Sequence, residues 1–242
     1  MKLEAHTSHK KKKRFGVESS LLPSKFKESD LKKIYRTLLE EFGPQKWWPA
    51  ETRFEVIVGA LLTQQTKWNN VEKAICNLKR AEVLEPHGLV KIDMSSLEEM
   101  IRCCRFYRQK ASRLKNIAQF LIERDIDELF KLPVDQLRTT LLALNGVGNE
   151  TADSIILYAA DKPKFVIDAY TTRIMGCMGV EGNYEELQRL FENTLSKDVN
   201  TFKEYHALIV EYAKSYCGKK LCKECILING HRKGTIHGQK QI

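Results

Sequence analysis

The chain has 242 residues, 43% of them hydrophobic, and a formal net charge of +9, which is enough apolar content for one sizeable core or two small lobes and too much for disorder throughout. The basic excess points to a polyanionic partner, yet residues 1–20 contribute +4 and residues 231–242 contribute +3, leaving only +2 in between; basic ends of this kind are often just solvated tails. No apolar run is long enough to span a bilayer and no apolar signal region follows Lys10–Arg14, so the sequence reads as soluble and intracellular, neither membrane-bound nor secreted.

Residues 1–25 are polar, basic and aperiodic, and read as a disordered tail. From Glu28 the apolar spacing turns helical, with Leu31, Ile34, Tyr35, Leu38, Leu39 and Phe42 on one face and Gly43-Pro44 closing the helix. Trp47-Trp48-Pro49 and Trp68 place all three tryptophans of the chain in one region. They fill a helical core or line an aromatic pocket, and a Trp-Trp-Pro loop is hard to bury fully. Ile117, Phe120 and Leu121 repeat the helical pattern, and Pro133 suits the opening of another helix. Lys164–Ile167 is the one short extended piece predicted, and no internal repeat is found. The predicted fold class is all-α.

Leu132–Ala160 reads as two amphipathic helices joined by Asn145-Gly146-Val147-Gly148, a turn short enough only for a tight hairpin. Both glycines can take positive φ and let a phosphate approach the backbone, while Val147 packs between the helices. The second helix then presents free N–H groups and the positive end of its dipole to that phosphate. The plainer alternative is a helical hairpin that needs Gly-x-Gly only in order to turn. Some twenty residues on, Phe165-Val166-Ile167-Asp168-Ala169-Tyr170 leads into an apolar helix over Thr171–Met178 that Gly179 can close. Asp168 is an N-cap by position. The dipole would also keep its carboxylate ionised, the state that stabilises a developing cation, so both roles can coexist.

In its order of motifs the chain resembles the helix-hairpin-helix DNA glycosylases of the endonuclease III superfamily, over roughly residues 30–225. Leu61-Leu62-Thr63-Gln64-Gln65-Thr66, LNGVGNETA and VIDAY carry the likeness. The resemblance implies two helical lobes with a cleft between them: 26–50 with 161–216 as a terminal-helix lobe, 51–160 as a central lobe ending in the hairpin, and 217–242 as a cysteine-containing loop and basic tail. It further implies a monomeric, cytoplasmic, nucleoid-associated enzyme of base excision repair. Such an enzyme flips a damaged nucleotide out of double-stranded DNA and fills the gap with a side chain. Asp168 would be the catalytic carboxylate. Gln65 is the better candidate for the gap-filling wedge, Gln64 and Gln65 otherwise serving as buried amides between helices. Asn145, Gly146, Val147, Gly148 and Thr151 would hold the DNA backbone.

Family members that also cut the backbone place a Schiff-base lysine directly before the Thr-Ala of the hairpin helix. Glu150 stands there, so the resemblance implies a monofunctional enzyme, with Glu150 itself read as a first-turn acid. Within the family, Trp-Trp-Pro, LLTQQTKW, the Glu before Thr-Ala, DAY and His206–Lys214 are similar to the 3-methyladenine DNA glycosylase III branch. A purine alkylated at N3 or N7 is cationic and a good leaving group, so an electron-rich indole attracts it and no strong general acid is needed. On this reading Trp47, Trp48, Trp68, Tyr170 and Lys214 surround the base, with Trp48 and Trp68 sandwiching or flanking it. Lys214 is otherwise a solvated surface lysine. Excision of mismatched adenine or uracil, a bifunctional glycosylase/lyase, and a non-catalytic helix-hairpin-helix DNA-binding module are the alternatives.

Seven cysteines, an odd number with Cys103 and Cys104 adjacent, do not make a secreted disulfide framework. Cys217, Cys222 and Cys225 resemble the family's [4Fe-4S] loop, with a shorter first spacing, no fourth cysteine, and His231 where a fourth ligand could reach. A cluster, a Zn²⁺ site on Cys₃His and a relic loop all remain open, and none is required for the chemistry.

Overall fold

The structure is a computed structural model that describes residues 26–221 and 223–227. Helices account for its regular structure, and no strand occurs among the described residues. The first helix, α1 (Glu28–Phe42), buries Leu31, Ile34 and Leu38 and ends where Gly43 takes φ +67°. Next come α2 (Arg53–Thr63), α3 (Trp68–Arg80), α4 (Pro86–Lys91), α5 (Met94–Met100), α6 (Tyr107–Glu123) and α7 (Ile126–Lys131). The hairpin is α8 (Val134–Leu142) and α9 (Asn149–Ser154), and a π-helical turn, Ile155–Ala159, prolongs α9. The chain finishes with α10 (Ala169–Cys177), α11 (Tyr184–Thr194) and α12 (Val199–Tyr212), the last prolonged by a π turn over Ala213–Cys217.

Short polar side chains set many of the helix starts. Thr52, Asp93, Asp125, Asp168, Asn183 and Asp198 each accept a backbone N–H of the first turn, satisfying donors that have no partner inside the helix. Because Asp168 is itself the cap, α10 begins at Ala169, two residues earlier than the apolar pattern alone predicts.

Two groups of helices form. Helix α1 lies against α11 and α12, and α10 against α12; α2 packs on α3 and α6, and α4 and α5 lie on α6. The buried turn Ile155–Ala159 touches α2, α8 and α12, joining both groups in one continuous hydrophobic core.

Lys164–Ile167, expected as an extended piece, carries no regular secondary structure and pairs with no strand. Phe165, Val166 and Ile167 are buried, and side chains of α11 take the place of a sheet ladder. Phe165 N–H donates to Glu192 at 2.9 Å, Ile167 N–H donates to the Tyr184 hydroxyl at 3.4 Å, and the Phe165 carbonyl accepts from Gln188 at 2.6 Å. A buried backbone must be paired, and here helical side chains do the pairing. This segment delivers Asp168 to the groove between the two groups of helices. Among the described residues no helix is long and apolar enough to cross a membrane.

Candidate active site

The hairpin turn is held from three sides. Gly146 has φ +86°, and a Cβ there would meet Arg113 Cδ and Nε at 2.3 Å. Gly148, predicted to use positive φ as well, is instead extended at φ −95° and ψ −178°, with open space where its Cβ would be. Its value is therefore room for an approaching group rather than backbone freedom. Val147 is buried between the helices as expected, and Asn145 is exposed at the tip. Gly148 leaves the first N–H groups of α9 without a side-chain cap. Beneath the turn, Asp153 is fully buried and accepts from Arg138, Tyr184 and Gln188 at 2.7–2.8 Å, fastening the hairpin to α11.

Gln64 and Gln65 end α2 in opposite ways. The Gln64 amide nitrogen donates to the Gly146 carbonyl at 2.9 Å and to Thr151 Oγ1 at 3.0 Å, and its oxygen accepts from Arg113 at 2.8 Å. Gln64 is thus the amide that ties helices together. Thr151, expected at the DNA backbone, is buried as its partner. Gln65 is exposed at φ +51°, a conformation that lifts its side chain off the helix axis. Lys110, buried in α6, supports this loop by donating to the Leu62 and Gln64 carbonyls and to Thr66 Oγ1 at 2.6–2.7 Å. Burial pushes its ammonium down to about 8. Thr66 also receives the backbone N–H of Arg105 at 3.1 Å, which holds Phe106, half exposed at φ +57°, near Gln65. The sequence alone does not mark Lys110, and for Phe106 it offers only an aromatic between Arg105 and Tyr107.

A cavity of about 140 Å³ opens beside the hairpin, room for on the order of ten water molecules. Trp47, Trp48, Trp68, Tyr170, Lys214, Asp168, Glu150 and His206 all line it. Trp47 lies nearly parallel to Trp48 (5.5 Å, 9°) and to His206 (5.7 Å, 11°), and Lys214 Nζ stands 5.7 Å from the Trp47 ring. Trp48 and Trp68 meet edge to face at 5.2 Å and 86°. They form a corner, with no slot between them for a sandwiched base. Trp48 also packs on Gly59, and Trp68 Nε1 donates to Glu72 at 2.7 Å, so both are part wall and part scaffold.

Asp168 caps α10 and also lines the cavity. Oδ1 accepts from the N–H and the hydroxyl of Thr171, each at 2.7 Å, while Oδ2 faces the cavity 3.8 Å from His206 Nε2. Glu150, read from sequence as a helix-start acid, also lines the cavity. Its side chain is exposed to solvent at the cavity, with the concave wall around it. Desolvation by that wall, with the negative charge of Asp168, pushes its carboxyl up to about 7. Tyr158 is held protonated by burial and by Asp168, and burial pushes His206 below the usual imidazole range.

Cys217 and Cys225 border a small apolar cavity with Cys177, Tyr212 and Tyr216, and the Tyr212 hydroxyl is hydrogen-bonded to the Cys225 thiol. Cys222 and His231 lie outside the described residues. Among the described residues no group of three or more His, Cys, Asp or Glu side chains is arranged to hold a metal ion.

Residues 58–197, more than half of the chain, match the HhH-GPD superfamily of base excision DNA repair proteins. The chain belongs to this superfamily. It is a DNA glycosylase of base excision repair. A Methanocaldococcus jannaschii protein named "Putative DNA repair glycosylase MJ1434" is 51% identical over 80% of this chain and 91% of its own length. Endonuclease III of Thermotoga maritima is 30% identical over 73% of this chain and 81% of its own. Among solved structures, the H. pylori 3-methyladenine DNA glycosylase MagIII bound to 1,N6-ethenoadenine superposes with a TM-score of 0.65 at 32% identity, covering 78% of this chain and 95% of that one. A non-covalent endonuclease III–DNA complex gives 0.74 at 21% identity, covering 89% and 100%, and speaks for the fold.

Proposed function

We propose that this HhH-GPD glycosylase is monofunctional and, acting as a monomer, releases alkylated purines of the 3-methyladenine type from double-stranded DNA. One arrangement carries the reading: the Asp168 carboxylate opens into a tryptophan-walled cavity in which Glu150 occupies the position of the family's lyase lysine. The uncapped start of α9, with Gly146 and Gly148 before it, would take a DNA phosphate. Gln65 and Phe106 would enter the duplex, Gln65 filling the gap left by the flipped nucleotide. The indoles of Trp47, Trp48 and Trp68 would attract a cationic base, which leaves as a neutral molecule when the glycosidic bond breaks. Positive charge then builds on the sugar, and Asp168 Oδ2 stabilises it while Thr171 keeps Oδ1 in place. A carboxylate at 150 forms no Schiff base, so strand cleavage by β-elimination has no nucleophile at this position. The relative crystallised with an ethenoadenine supports the purine assignment.

Glu150 favours a second reading. A carboxyl raised to about 7 in the cavity can donate a proton, which excision of a neutral base such as mismatched adenine requires. Base-release assays on methylated DNA and on adenine- and uracil-mismatch duplexes, with product identification, separate the two. The first reading expects 3-methyladenine in the supernatant and intact strands until heat or alkali is applied. Release of adenine or uracil alone, or spontaneous nicking, contradicts it.

A further inference from the structure

His206 is the one imidazole in the cavity wall, and its two nitrogens are treated differently. Nδ1 is 2.7 Å from the Tyr158 hydroxyl, whereas Nε2 is buried without a hydrogen-bond partner, 3.8 Å from Asp168 Oδ2. A polar atom left unpaired in a protein interior is costly and calls for a reason. The ring cannot turn to relieve it. Trp47 lies parallel at 5.7 Å, Tyr158 holds the far nitrogen, and the side chain is 5% exposed.

The tautomer follows from these neighbours. A Tyr158 hydroxyl donating to Nδ1 leaves a hydrogen on Nε2, on the Asp168 side of the ring. The opposite arrangement would point a lone pair at that carboxylate and send the Tyr158 hydrogen to the more distant Lys203 carbonyl, 3.3 Å away. The shorter bond and the sign of the Asp168 charge therefore select Nε2–H. On the other side of the gap, both Thr171 donors are spent on Oδ1, so Oδ2 is the oxygen free to accept.

We propose that His206 is a positioning residue for hydrolysis, its Nε2–H and Asp168 Oδ2 together holding the attacking water. The inference rests on the glycosylase assignment and on hydrolysis as its chemistry. A water oxygen about 2.8 Å from both atoms spans the 3.8 Å separation with an angle close to a right angle at the water. The water accepts from Nε2 and donates to Oδ2, leaving a lone pair for the anomeric carbon. As the glycosidic C–N bond breaks, its electron pair leaves with the base and neutralises a cationic alkylpurine. The new C–O bond takes the lone pair of the water, and the proton passes to Oδ2.

The test is a pair of substitutions that keep opposite halves of the imidazole. In His206→Gln the amide nitrogen stands near Nε2 and preserves the donor over the cavity. In His206→Asn the amide oxygen can stand near Nδ1 and accept from Tyr158, which preserves that link but leaves no donor at the Nε2 position. Single-turnover release is measured on whichever duplex the wild type processes, alongside affinity for an abasic duplex. The Asn variant is expected to lose on the order of 100-fold in release with unchanged abasic-duplex affinity, while the Gln variant stays near wild type. Equal rates, or Asn faster than Gln, overturn the proposal and leave His206 as scaffold. Should the Gln variant fail to fold, ¹⁵N NMR of the wild-type imidazole decides: a protonated Nε2 is required, and a protonated Nδ1 overturns it. A wild type active only on mismatch duplexes sinks the alkylpurine reading while leaving this comparison intact; a wild type that releases no base from any duplex overturns both.

Discussion

The Gln64 side chain donates to the Gly146 carbonyl at 2.9 Å, tying the loop after α2 to the turn of the hairpin although 82 residues separate them. Gln65, the next residue, makes no such tie and stands exposed. Gln64→Ala removes bonds to Gly146, Thr151 and Arg113 and should cost about 2 kcal/mol in urea unfolding. Gln65→Ala should stay within roughly 0.5 kcal/mol of wild type in the same measurement, yet slow base release. The reverse ranking would exchange their roles.

The two glycines of the turn should also separate. Gly146→Ala places a Cβ against an Arg113 side chain that Gln64 pins, at a φ that L residues avoid. A loss of about 1–3 kcal/mol in chemical denaturation is expected. Gly148→Ala meets open space on an extended backbone, so the fold should tolerate it. Its effect should fall instead on affinity for duplex DNA in a filter-binding or anisotropy titration, because the methyl group occupies the space a phosphate would need.

Glu150 links the cavity to pH. Its carboxyl rises from 4.5 to about 7 on folding, so the native state favours the protonated form. That contribution is fully present below about 4.5 and is lost as pH climbs through 7. Glu150→Gln stays neutral throughout, so thermal melts of variant and wild type should nearly coincide at low pH. By pH 8 the variant should be the more stable of the two. A difference that does not change with pH, or one that grows toward acid, would contradict the environment assigned to Glu150.

Much of this site is legible in the sequence because its parts are local. The Gly146 turn, the cap at Asp168 and the Glu at 150 are each set by neighbours within a few positions. Tertiary contacts decide the rest. Nothing near Lys110 announces that a lysine will be buried to hold carbonyls 46 and 48 residues away. His206 stands out only once Tyr158, 48 residues earlier, is seen to engage its far nitrogen. Gln64 and Gln65 are identical side chains, and only the backbone turn at φ +51° assigns them different work. Lys164–Ile167 has strand composition, but its backbone partners are side chains of a later helix, which no alternation pattern encodes.

The role of Asp168 is the centre of the account, and Asp168→Asn tests it most directly. Asparagine caps helices as well as aspartate does, so α10 should keep its start and the variant should bind an abasic duplex as the wild type does. Single-turnover base release from methylated duplex should fall by on the order of 10²–10³-fold. Release within a few-fold of wild type, with binding preserved, would show that the cavity works without this carboxylate.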